Sequence, residues 1–116
     1  PQRNYALDNI KIKDIYLYFL DDDNEIHKDL YKLLNIVDNN KLYTFNQKDR
    51  INGSCIELFN IDTAMILIDY NLCKDIRWTL DKYNADGYYI KECYLNNQDK
   101  WIYVNNTLCT YNTIID

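Results

Sequence analysis

The chain has 116 residues, 47% of them hydrophobic, with only two Gly and one Pro, which predicts one domain with its own core and no long flexible linker. Eighteen Asp and Glu against thirteen Lys and Arg leave a net charge of −5, and the scattered basic residues argue against a phosphate-binding face and so against nucleic acid. The same field disfavours acidic membrane surfaces and favours a basic protein partner, and no apolar run approaches the roughly 20 residues of a membrane span.

In chain order, residues 10–20 (IKIKDIYLYFL) alternate and then become continuously apolar, the pattern of a strand entering the core. Asp21, Asp22, Asp23 and Asn24 break it and offer helix caps, and Asp22 and Glu25 have capping-box spacing. Residues 24–38 predict a helix with Ile26, Leu30, Leu33, Leu34 and Val37 inward. Asp38-Asn39-Asn40 ends it, Asn being suited to the left-handed conformation.

The remainder reads mostly as strand. Leu42–Phe45 is short and β-rich, and Cys55–Phe59 and Ala64–Tyr70 flank a hairpin loop at 60–63. The run Ala64–Asp69 is apolar until its last residue, as in a central strand covered on both faces. Residues 71–86 fit both periods. Helix is the preferred reading, capped by Asn71 and closed by Gly87. Tyr88–Leu95, Lys100–Val104 and Thr107–Ile114 predict a C-terminal β-meander, with Asn105-Asn106 as a turn. The expected fold is α+β: an antiparallel sheet of about five to seven strands with one or two helices packed on one face.

Common active sites find few parts. His27 is the only histidine and Ser54 the only serine, with no G-x-S-x-G pattern around it. Cys55, Cys73, Cys93 and Cys109 lack C-x-x-C spacing, which disfavours zinc and thioredoxin-type chemistry. Buried free thiols are the preferred reading, and two disulfides in an oxidising compartment the alternative. No cofactor and no resident metal is expected.

Asp21 and Asp23 follow an apolar strand, and that spacing is similar to the D-x-D of haloacid-dehalogenase-type hydrolases. With Asp69, which ends another apolar run, the resemblance implies a Mg²⁺ site. The Thr or Gly expected after the motif and a phosphate-binding Lys are absent. Helix capping explains the cluster without chemistry.

Twelve tyrosines are more than a small core easily holds. Exposed Tyr and Trp favour protein interfaces, while sheet packing and codon bias are the plainer account. The expected partner surface is Asp21, Asp22, Asp23, Tyr88, Tyr89, Trp101 and Tyr103. The expectation is thus a non-enzymatic, cytoplasmic binding domain, an inhibitor or immunity-type protein that neutralises a basic partner such as a nuclease toxin. A secreted or viral surface domain with two disulfides and a Mg²⁺-dependent hydrolase are the alternatives. The sequons at Asn52 and Asn105 support secretion weakly.

Overall fold

A computed structural model of the protein describes residues 2–11, 15–20, 26–48, 51–57, 61–78 and 85–110. Its elements in order are α1 (Gln2–Asp8), β1 (Tyr16–Tyr18), α2 (Leu30–Leu34), β2 (Leu42–Gln47), a 3₁₀ turn (Thr63–Met65), β3 (Ile66–Asp69), α3 (Tyr70–Cys73), α4 (Ala85–Asn96), a second 3₁₀ turn (Gln98–Lys100) and β4 (Trp101–Cys109). The fold is mixed α and β, and the described strands form one four-stranded sheet in the order β1-β3-β2-β4. No described helix is long and apolar enough to cross a membrane.

The apolar run before Asp69 becomes β3, buried at all four positions and flanked by antiparallel β1 and β2. Its β-branched isoleucines suit a pleated surface covered on both sides. β4 then pairs with β2 in parallel, from Leu42↔Trp101 to Gln47↔Cys109, with register slips beside Asn46. The sheet is therefore mixed, not antiparallel. A parallel pair needs a long crossover, and the chain between β2 and β4 supplies it.

The expected meander is also replaced. Residues 88–95 are not a strand but the body of α4. Tyr89, Ile90 and Cys93 are buried, while Tyr88, Glu92, Leu95 and Asn96 are exposed, which is helical spacing. β propensity in Tyr is a weak prior that burial of a helical stripe overrides. Asn97 ends the helix: its Nδ2 donates to Cys93 O at 2.9 Å and to Leu72 O at 3.0 Å, tying α4 to α3. Asn105-Asn106 is no turn but the interior of a single strand. Thr110 is not part of it, and 111–114 lie outside the described residues.

The expected hairpin partner at 55–59 is not a strand over 55–57, and 58–60 lie outside the described residues. The chain after β2 instead folds onto the sheet face. Gly53 sits so close to β2 that a Cβ there would lie 2.3 Å from Phe45 O. Thr44 Oγ1 donates to Gly53 O at 2.6 Å, and Gly53 N donates to Asn46 Oδ1 at 3.0 Å. Side chains thus take the backbone groups that a hairpin ladder would have used.

The helix expected over 24–38 is short. Residues 26 and 27 are not helical, and 21–25 lie outside the described residues. His27 serves the start of α2: its carbonyl accepts from Leu30 N at 3.0 Å and its Nδ1 from Asp29 N at 3.1 Å. Leu30 and Leu33 are buried, but Ile26 and Leu34 are exposed. Asn40 takes φ 60°, the left-handed turn expected at the end of this segment.

Between 71 and 86, only the first three residues continue α3, and its cap is Asp69 rather than Asn71. Ile76 and Trp78 are buried without regular structure, 79–84 lie outside the described residues, and Gly87 sits inside α4. The unforeseen α1 holds this segment. Asn4 exchanges two bonds with the Trp78 backbone, Nδ2 to O at 3.1 Å and Oδ1 from N at 2.7 Å.

Trp101 meets α4 through an edge-to-face contact with Tyr94 at 5.2 Å, while Val104 lines a groove against α2. Those two strand positions are an odd number apart in a stretch without slips, so they point to opposite faces. The helices cover both faces of the sheet, not one.

Candidate protein-binding surface

The structure disperses the residues expected to meet a partner. Asp21, Asp22 and Asp23 lie outside the described residues. Tyr88, 42% exposed in the first turn of α4, is on the surface. Tyr89, the next residue along the helix, is 1% exposed and is not a contact residue. Its ring stacks on Trp78 with centroids 4.4 Å apart and meets Phe19 edge-on at 5.6 Å. The guanidinium of Arg3 covers the Trp78 ring at 4.5 Å, a cation–π contact that closes the aromatic cluster from outside.

Trp101 and Tyr103 are half-buried and spend their polar atoms internally. Trp101 Nε1 donates to Thr44 Oγ1 at 2.8 Å, and Tyr103 Oη donates to Asn46 Oδ1 at 2.7 Å. Asn46 Nδ2 reaches Asn105 Oδ1 at 3.2 Å. The network locks the Gly53 loop to the sheet and gives these aromatics a structural task. Tyr18 and Tyr43 likewise use their hydroxyls inside the fold, with Ala64 O and Asp38 N at 2.9 Å each.

Asp69 does not stand free at the sheet edge. Its Oδ1 accepts from Asn71 N at 2.9 Å and its Oδ2 from Asn40 N at 2.8 Å, in a buried position. Both oxygens hold backbone turns, which suits a cap better than a metal ligand. Among the described residues, no group of three or more His, Cys, Asp and Glu side chains converges.

None of the four cysteines is joined in a disulfide; Cys55 is exposed and the other three are buried. Burial, with smaller contributions from its neighbours, pushes the Cys73 thiol up to about 11 and raises Cys93 further. Such thiols are protonated at neutral pH and are poor nucleophiles. The Tyr89 hydroxyl faces both, and its ionisation is strongly suppressed, chiefly by burial and then by the neighbouring thiols. It makes no hydrogen bond of full geometry, and neither does Trp78 Nε1.

Exposed apolar side chains stand out on α2 and just after it. Ile36, in the turn that follows α2, is 73% exposed, and Tyr31 (55%) and Leu34 on the helix are exposed too. Beside Ile36 a groove of about 460 Å³ runs between the α2 segment and β4. Asp29, Lys32, Leu33 and Ile36 line the helix side, and Val104, Asn106, Thr107 and Leu108 the strand side. Leu33 and Leu108 are buried and form an apolar floor. Asp29 and Lys32 pair at 3.4 Å on the rim. Helical periodicity predicts Leu34 inward, but in the fold it is exposed while Leu30 and Leu33 of the same helix are buried. Comparison of the chain with protein-family models, curated proteins and solved structures found no match.

Proposed function

We propose that the protein is a non-enzymatic, acidic protein-binding domain, most concretely an inhibitor or immunity-type protein that neutralises a basic partner such as a nuclease toxin. The observation that carries this reading is the set of exposed apolar side chains Tyr31, Leu34 and Ile36 in and just after α2, on a molecule of net charge −5. Exposed apolar side chains gain from being covered, at roughly 25 cal/mol per Å². An acidic field around them draws a basic protein in and orients it. In this reading Ile36 and the exposed side chains of α2 take the place of Tyr89, Trp101 and Tyr103 in the interface.

The test compares the immobilised wild-type chain with Ile36→Asp in extract from the native host. A basic protein held by the wild type at low salt, released as salt rises and lost by the variant supports the proposal. Retention of nothing, or equal retention by both chains, defeats it.

A further inference from the structure

The strand that lines the groove, β4, stands at the end of the sheet. β4 is the last strand in the sheet order, and among the described residues β2 is its only strand partner. Backbone N–H and C=O groups on the far side of a strand recruit further strands unless the edge is short, charged, bulged, covered or broken by Pro; the slips beside Asn46 leave Trp101–Val104 as the regular stretch of this edge. The opposite edge, β1, is three residues long. β4 is nine residues long and contains no charged residue and no Pro. Ile102 and Asn105–Thr107 are exposed, and the strand ends buried at Leu108 and Cys109.

Resting on the reading above, we propose that the basic partner docks as an extended segment along this edge, adding a strand to β4 and seating a side chain on the floor formed by Leu33 and Leu108. Main-chain pairing supplies affinity in this mode, and pockets for alternate side chains supply selectivity. The groove, at about 460 Å³, is within the roughly 300–1,000 Å³ of ordinary ligand pockets.

Charge selects the occupant. The chain carries −5, so a second copy meets repulsion where a basic segment meets attraction. Asp29, which lines the groove, offers a carboxylate to an incoming Lys or Arg. Its present partner Lys32 is highly exposed, and exposed pairs of this kind exchange at little cost.

The test pans a phage-displayed library of random peptides against the full chain and titrates an enriched peptide into ¹⁵N-labelled protein. Enriched peptides should carry surplus Lys or Arg with apolar residues at alternate positions. Their binding should move the amides of 102–107 and 33–36, and Asn106→Lys should weaken it about tenfold through like charge on the edge. Enriched peptides whose shifts fall elsewhere overturn strand addition but leave the protein-binding proposal standing. So does a failure to enrich any peptide while the chain still retains a basic protein through Ile36. A wild-type chain that sediments as a dimer with the amides of 102–107 protected from exchange assigns the edge to a second copy and overturns the basic occupant.

Discussion

At the scale of single residues, a buried hydroxyl without a full hydrogen bond and a glycine pressed against backbone predict opposite mutational outcomes. The Tyr89 hydroxyl is buried against the Cys73 and Cys93 thiols without a hydrogen bond of full geometry, so Tyr89→Phe removes a desolvated group and gives up only weak contacts to those thiols. Stability should stay level or rise by up to about 1 kcal/mol, read from the urea midpoint. Gly53 is the reverse case. A Cβ there meets the Phe45 backbone at 2.3 Å, an atom that cannot rotate away. Gly53→Ala should cost about 2 kcal/mol or more and loosen the Thr44–Trp101 network, seen as a change in Trp fluorescence together with a lower urea midpoint.

At the scale of elements, α3 and α4 meet over the thiols of Cys73 and Cys93 and the Tyr89 ring. The Cys73 thiol rises from 9.0 to about 11 in the folded protein, mainly through burial. In the unfolded chain it ionises near its ordinary value, so above pH 9 the unfolded state binds fewer protons than the native state. Stability should therefore be level below pH 9 and fall between about pH 9 and 11, by about 2–3 kcal/mol for this thiol alone. Thermal melts across that range check the sign, and Cys73→Ala, whatever its cost at neutral pH, should make the fall shallower and leave the part due to Cys93.

The same elements show where local signals mislead. Tyr89, Ile90 and Cys93 are spaced as one helical stripe, yet the density of β-favouring tyrosines around them suggests strand. The two readings differ in which face is buried, and only the packing against Trp78 and Phe19 decides that. Asn105-Asn106 resembles a turn because Asn tolerates left-handed backbone. In the fold, Asn105 is instead bonded across the sheet to Asn46, so the strand runs on.

At the scale of the whole molecule, charge and exposed apolar surface act together. Ile36 lies outside the core, so Ile36→Asp should shift stability by no more than about 0.5 kcal/mol while removing partner retention. A melt and a binding assay on the same preparation separate these effects. Because attraction to a basic partner is long-ranged, its association should slow by at least about tenfold between low and physiological salt, with dissociation much less affected. Stopped-flow mixing at several ionic strengths measures both.

The sequence by itself determined the acidic balance, the mixed α and β character and the buried central strand before Asp69, because net charge is additive and a continuous apolar run must be covered wherever it lies. It also marked the left-handed break at Asn40, a property of one residue and its neighbours. Only the tertiary structure decided the parallel pairing of β2 with β4, the helical state of residues 88–95 and the outward turn of Leu34 and Ile36. Each depends on which distant segment comes to lie against the element, and spacing along a chain holds no record of that.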